Sequence, residues 1–391
     1  MFIERKIHQA LREHLDRKQI TVITGMRRTG KTTLVKELLK EVPDNKIYLD
    51  LERLSNRDVF AERNYDNIIE TLSSKGIDFS KKAYIALDEI QLMRDIPSVL
   101  KYLYDHYDIK FIISGSSSYY LKGLFNESMA GRKKIFEVFP LDFGEFLSFK
   151  GVERPAKDFK GLEFSKHEYA DLGKYYEEYI RFGGFPEVAL AKSDAEKKDI
   201  VSDILSSYVN VDVKSLADFK DERNVYNLMK ILAGRIGTKL DYSKISRLSS
   251  LSIPTVMSYI NFFEKTYLIF RLPVHAKHPD KEIVKAQKLY FCDNGIANLL
   301  HRQSSGAMFE NAVFSQLRHK GGLRYYSLKS GREIDFVVDG SLGLEVKESP
   351  DPHDLMPLKE LSKSAGLKKY RLVGRKPVPR FKDYVWGGSI R

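Results

Sequence analysis

Residues 20–34 read ITVITGMRRTGKTTL, and the fold follows from this stretch. The β-branched run at 19–24 predicts a short strand, and the apolar spacing over 32–39 predicts an amphipathic helix. Between them stands G-x-x-x-x-G-K-T. Gly25 opens the loop, and Gly30 lets the backbone approach a phosphate that any Cβ would push away. Lys31 supplies positive charge for the β- and γ-phosphates of ATP, the Thr32 hydroxyl suits Mg²⁺, and Thr33 completes the phosphate-binding set. Strand, loop and helix in this order imply an α/β fold with a parallel sheet and a nucleotide at its C-terminal edge.

A second stretch, AYIALDEIQ at 83–91, is an apolar run ending in two acids. It reads as a buried parallel strand whose carboxylates emerge at the same edge. Asp88 would hold Mg²⁺, directly or through water, and Glu89 would orient and deprotonate the attacking water. Further strands are expected at 45–51, 110–114 and 134–139. The fourth in chain order ends in serines 114–118; Ser114 or Ser116 could bond the γ-phosphate or the water, although serines there also cap helices. A helix is expected at 119–130, followed by Gly131 and Arg132.

The chain has 391 residues, too many for one ordinary core, and three or four modules are expected. No apolar run approaches the ~18 residues of a membrane span. The N-terminal helix contains acids, unlike a secretory or transit signal, so a cytoplasmic location is expected. The single cysteine, Cys292, excludes an internal disulfide. Charge is unevenly placed: the net of +12 divides into −2 over residues 1–222 and +14 over 223–391. The back of the chain therefore has the electrostatic footprint of a polyanion-binding surface, with nucleic acid as the expected partner.

Along the chain, 1–149 reads as the nucleotide-binding core. Residues 150–222 read as a linker and a helical lid, broken by RFGGFPEV at 181–188, where Gly183, Gly184 and Pro186 demand a tight turn. Arg181 could reach the phosphates or lie in solvent. Residues 223–295 carry three helices (224–234, 242–248, 253–265) and two strands (267–274, 282–291), the order of a winged helix. Lys277, Lys281 and Lys285 at the wing tip suit phosphate contact. The third helix offers few donors beyond Thr255, Ser258, Tyr259 and Asn261, which predicts little base specificity.

Residues 296–391 hold a second chemical signal. A helix at 306–320 precedes strands at 324–329, 334–338 and 342–347, with Asp335, Glu345 and Lys347 in a D-x(n)-E-x-K arrangement. A strand's period of two puts Glu345 and Lys347 on one face. Asp335 and Glu345, completed by Glu310, could hold Mg²⁺ or Mn²⁺ to activate water, while Lys347 steadies phosphate charge. Lys359, Lys363, Lys368, Lys369 and Arg371 flank the motif. This pattern predicts a restriction-endonuclease-like domain. Such domains also bind or scaffold without cutting, and a plain Glu345–Lys347 ion pair in a solvated hairpin remains open.

Taken together, GMRRTGKT, ALDEIQ, SGSSSYYL, AGRKKIFEVFPLDFGEF, RFGGFPEV, KLYFCDNGIANLL, FENAVFSQL and GREIDFVV…LEVKES resemble a prokaryotic, largely archaeal, family of AAA-type P-loop ATPases. The family ends in a restriction-endonuclease-like domain of unknown function. The resemblance covers nearly the whole chain. It implies an ATP-driven switch or motor with Gly25, Gly30, Lys31, Thr32, Asp88 and Glu89 at work, and Glu310, Asp335, Glu345 and Lys347 as candidates. Arg132, ahead of the fifth strand, stands where AAA ATPases keep an arginine finger, which would act in trans within a homo-oligomer. Two functions follow: an ATPase coupled through residues 223–391 to nucleic-acid binding, with metal-dependent cleavage left open, or an ATP-dependent signalling or assembly switch whose inactive nuclease-like tail serves protein interaction.

Overall fold

The computed structural model describes residues 2–62, 64–93, 95–116, 131–154, 159–214, 222–276 and 285–390. The helix expected at 119–130, Ser117 and Ser118, and the tip lysines Lys277 and Lys281 lie outside the described residues. Two compact units divide the chain. The first takes Met1–Phe139, Asn210–Ala217 and Lys265–Tyr267; the second takes Pro140–Val209, Asp218–Glu264 and Leu268–Arg391.

The first unit begins with helix α1 (Lys6–Glu13) and is built on a sheet of β1 (Ile20–Thr24), β2 (Lys46–Asp50), β3 (Ala83–Asp88), β4 (Ile109–Gly115) and β5 (Lys133–Glu137). The strand order is β2-β3-β4-β1-β5, with every pairing parallel. Both faces are covered, which is why β1, β3 and β4 are apolar nearly throughout. On one face, Val22, Ile85, Leu87, Phe111 and Ile113 pack with residues of α3 (Leu54–Phe60), α4 (Tyr65–Ser74) and α5 (Ile96–His106). On the other, Ile23, Ala86 and Ile112 meet Leu11 of α1 and Leu34, Val35 and Leu38 of α2 (Lys31–Lys40). Alternate residues of one strand thus feed two cores. Lys110, wholly buried on β4, donates to the carbonyls of His14, Arg17 and Gln19 at 2.7, 2.8 and 2.6 Å, and so fixes the chain entering β1.

The second unit opens with α6 (Phe143–Phe149), entered through a capping box of Asp142 and Glu145. This helix falls at the end of the segment read from sequence as the nucleotide core. Phe143 packs on Tyr176 and Tyr179 of α7 (Lys166–Phe182) and on Trp386 near the C-terminus. At the RFGGFPEV turn, Gly183 takes φ 84°. A Cβ there would strike the Asp293 carboxylate, which accepts the Gly184 N–H at 2.6 Å. Pro186 then starts α8 (Pro186–Leu190), and α9 (Asp194–Ser207) follows.

Three helices come next: α10 (Glu222–Ala233), α11 (Tyr242–Ser249) and α12 (Ile253–Lys265). They lead to an antiparallel ribbon of β6 (Ile269–Leu272) and β7 (Lys288–Phe291). Both strands are shorter than the sequence suggested. Pro273 has no N–H to give, and pairing stops at Leu272. After α13 (Asn294–Leu300) and α14 (Ser305–Leu317) comes a five-stranded sheet, order β12-β11-β10-β9-β8. In it β8 (Arg324–Ser327), β9 (Glu333–Val338) and β10 (Leu342–Lys347) are antiparallel. Helix α15 (Leu355–Ala365) crosses to β11 (Lys369–Gly374), parallel to β10, and β12 (Val385–Trp386) adds in parallel. No helix among the described residues is long and apolar enough to cross a membrane.

Candidate nucleotide site and the acidic cluster of the tail

The loop from Gly25 to Gly30 joins β1 to α2 at the C-terminal edge of the parallel sheet. A Cβ at Gly25 would run into the carbonyl oxygen of Val138, so the loop can close only over glycine. Gly30 takes φ 94° as the residue before α2, a left-handed conformation that leaves the helix N-terminus bare to a ligand. Lys31 is buried and donates to the carbonyls of Gly25 and Met26, each at 3.0 Å. Burial pulls its pKa down, while Glu89, Asp212 and Asp88 work the other way. Thr33, one turn-position on, is exposed.

Asp88 ends β3 and is 2% exposed. Its carboxylate accepts from the Thr32 hydroxyl at 2.7 Å, from the Tyr48 hydroxyl at 2.8 Å, and from Ser114. Burial and this contact with Asp88 push the Tyr48 phenol far above its ordinary range, so it stays a donor. Thr32 and Asp88 form a pair of oxygen donors suited to a hard divalent cation. Glu89 follows at φ 56°, a left-handed conformation uncommon outside glycine. Its carboxylate is held by the Gln91 amide, which also donates to Ser116 Oγ at 3.0 Å.

Three members of this site escape a motif search. Tyr48 lies on β2, Arg27 is a variable loop position, and Asp212 is more than 120 positions beyond β3. Asp212 is 2% exposed, takes the Arg27 Nε–H at 2.9 Å and the Ser116 hydroxyl at 3.0 Å, and is pushed up in pKa by burial.

Arg132 precedes β5, where its carbonyl accepts the Ile20 N–H at 2.8 Å. That is the N-terminal edge of the sheet, opposite the edge carrying Asp88. Its guanidinium grips Asp105 with two bonds of 2.9 and 3.1 Å. Arg181, in the second unit, pairs with Asp194 at 2.8 Å in the open.

In the tail, Asp335 lies on β9 and Glu345 and Lys347 on β10. Lys347 pairs with Glu345 at 2.9 Å. Asp335 accepts the Val346 N–H at 2.9 Å through one oxygen, and through the other it accepts Lys288 Nζ at 2.9 Å. Lys288, on β7, is 1% exposed. Its ammonium also lies 2.8 Å from Glu333 and 3.5 Å from Glu310, whose carboxylate takes the Tyr290 hydroxyl at 2.6 Å. Burial works against the Lys288 charge, but Asp335, Glu310 and Glu333 outweigh it and hold the pKa above that of ordinary lysine. Burial, with Asp335 beside them, raises both Glu310 and Glu345. So Glu310 and Asp335 do come together, but around an ammonium. Among the described residues no group of three or more His, Cys, Asp or Glu side chains is arranged to hold a metal ion.

Residues 17–147 match the model of a family described as an AAA domain. Residues 173–306 and 305–386 match two domains of unknown function, DUF8612 and DUF4143. The uncharacterized protein MJ1544 of Methanocaldococcus jannaschii is 30% identical over 336 residues, covering 82% of this chain and 72% of that one. An uncharacterized protein of Haemophilus influenzae is 29% identical over 358 residues, covering 84% and 82%. Among solved structures, the Walker-type ATPase PABY2304 of Pyrococcus abyssi aligns with a TM-score of 0.49 at 16% identity, over 76% of this chain and 96% of that one.

Proposed function

The chain belongs to the family of MJ1544, with an AAA-type P-loop ATPase core at its front, and we propose that it is an Mg²⁺-dependent ATP-hydrolysing switch whose basic tail engages nucleic acid without cutting it. The observation that carries the first half is the convergence of Lys31, Thr32, Asp88 and Glu89 at one sheet edge, with Thr32 and Asp88 in direct contact at 2.7 Å. The phosphates of ATP would lie on the loop N–H groups, where γ- and β-oxygens replace the Gly25 and Met26 carbonyls as acceptors for Lys31. Mg²⁺ held by Thr32 and Asp88 would neutralise charge between the β- and γ-phosphates. Glu89 takes the proton of a water whose oxygen bonds to Pγ as the Pγ–O bond to ADP breaks. For that, Glu89 must first leave Gln91.

Hydrolysis is tested by phosphate release from ATP with Mg²⁺, comparing the native chain with Lys31→Ala and Glu89→Gln. Loss of nucleotide binding in the first, and binding without turnover in the second, is the expected result. Turnover unaffected by either change would remove the proposal.

For the tail, Lys359, Lys363, Lys368 and Lys369 are exposed and make no ion pair with a described residue, which supports contact with phosphates. The ammonium of Lys288 among Glu310, Glu333 and Asp335 supports binding without cleavage, because the cation already there cannot activate water. A second reading, an assembly switch using protein contacts, is favoured by α12. That helix turns Ile253, Met257, Ser258 and Asn261 to solvent and no cation before Lys265. DNA-stimulated ATP turnover supports the nucleic-acid reading. ATP-dependent oligomerisation indifferent to DNA supports the other.

A further inference from the structure

Residues Tyr208–Val213 continue α9 as a wider, π-helical turn. Although the chain on either side belongs to the second unit, Asn210–Ala217 packs with the first. The turn delivers Asp212, a buried carboxylate, to the loop that binds phosphate. One of its oxygens holds Arg27 of that loop and the other holds Ser116 at the end of β4. Ser116 in turn accepts from Gln91, and Gln91 retains Glu89. A continuous chain of hydrogen bonds therefore runs from Arg27 through Asp212, Ser116 and Gln91 to Glu89. Of the three carboxylates acting on Lys31, Asp88 and Glu89 have uses in hydrolysis, whereas Asp212 has none.

We propose that Asp212 senses the γ-phosphate: it occupies Arg27 and Ser116 when the third phosphate is absent and is displaced from them when ATP binds. This inference rests on the ATPase reading and goes beyond it. A loop whose donors suit a polyanion cannot bring a γ-phosphate into a low-dielectric site beside a fixed, buried carboxylate without a large Coulomb cost. Arg27 and the Ser116 hydroxyl satisfy the phosphate equally well, so the γ-oxygens take both donors and the carboxylate leaves. Asp212 moves out with its turn, which is covalently continuous with α9. Ser116 Oγ, drawn away from Asp212 toward the phosphate, carries its acceptor lone pair out of reach of Gln91, and Glu89 becomes free to meet water. ADP lacks the third phosphate and leaves the pair intact. Asp212 is thus a positioning residue, acting on Glu89 through Ser116 and Gln91, and it ties the turn's position to the nucleotide's phosphate count.

The test is hydrogen–deuterium exchange across residues 205–214 of the full chain, with no nucleotide, with Mg²⁺–ADP, and with Mg²⁺ and a non-hydrolysable ATP analogue. Exchange there should rise at least fivefold with the triphosphate and stay unchanged with ADP. In Asp212→Asn the turn should exchange quickly in all three states, and the preference for triphosphate over diphosphate should rise about tenfold, because the triphosphate no longer competes with a carboxylate. Asp212→Glu should restore the native difference between nucleotides. Equal exchange in all three states of the native chain, with both nucleotides bound in a Lys31-dependent manner, would overturn the inference and leave the ATPase reading standing. If neither nucleotide binds, both fall.

Discussion

Replacing Lys288 with methionine separates a metal site from an ammonium site in the tail. The side chain keeps its length and apolar stem and loses its charge, so Glu310, Glu333 and Asp335 are left facing one another. Breaking a buried ion pair by removing one partner costs about 3–5 kcal/mol, because the other charge stays behind unpaired. The contacts of 2.8 and 2.9 Å at a lysine 1% exposed place this case within that range. At about 2–4 °C per kcal/mol for a unit of this size, the unfolding midpoint should fall by roughly 10 °C. A divalent cation should then fill the gap. At a Mn²⁺ concentration 100 times its Kd the variant should regain about 2.7 kcal/mol, which is most of the loss. The assay is thermal unfolding of the native chain, Lys288→Met and the Lys288→Met/Asp335→Ala double variant, with and without Mn²⁺, alongside Mn²⁺ binding followed by electron paramagnetic resonance. Mn²⁺ should stabilise Lys288→Met alone. Refutation would be Asp335-dependent Mn²⁺ binding by the native chain, or a Lys288→Met variant as stable as the native chain and indifferent to the ion.

Four further outcomes are expected. Glu89→Gln should keep ATP affinity within about twofold while lowering kcat by 10²-fold or more, as general-base removal does; equal losses in kcat and in affinity would argue for a structural role. If Arg132 leaves Asp105 to act on a neighbouring subunit's nucleotide, Arg132→Ala should reduce kcat about 10³-fold in the assembled form, and mixing it with Lys31→Ala should partly restore turnover; unchanged turnover leaves Arg132 a surface ion pair. If the tail engages double-stranded DNA as proposed, binding should weaken steeply with salt, with a log–log slope near −4 for four lysines on phosphates, and changing Lys363 to alanine should lower that slope by about one. Burial pushes the Asp293 carboxyl up to about 6. The folded chain then keeps that proton where the unfolded chain has lost it, so its stabilising effect is complete below pH ~4 and is lost as pH rises through 6. Urea midpoints of Asp293→Asn should lack this downward step, whose size is near 3 kcal/mol.

The front of the fold is legible because its signals are local. A glycine loop between a β-branched strand and a helix fixes β1 and α2, and β3 ends at Asp88 as its apolar run requires. The same holds for α12, whose bounds match the apolar spacing, and for β10. What stayed hidden depends on partners distant in sequence. Helix α6 packs through Phe143 on Tyr176 and Trp386, and nothing near Phe143 announces either ring. Strand β11 begins with exposed Lys369, part of a basic run that reads as a solvated flank rather than as a strand parallel to β10. Asp212 carries no local signal in the sequence; only the fold brings it to Arg27 and Ser116.

The two ends of the chain bury a lysine among carboxylates and use it differently, and the reason lies in the remaining acceptors. Lys31 hydrogen-bonds two backbone carbonyls of its own loop, neutral groups that an anionic phosphate outcompetes, so its charge is available to a ligand. Lys288 has its close partners in Glu333 and Asp335, with Glu310 behind them, and these carboxylates hold it more firmly than a passing phosphate could. A hydrated divalent ion entering there must shed water and expel a buried ammonium whose charge its neighbours already favour. The D-x(n)-E-x-K spacing supplies the acids in either case. The cation that decides their chemistry comes from β7, a ribbon strand more than forty residues ahead of Asp335, and that is why we propose turnover for the first unit and binding without cleavage for the tail.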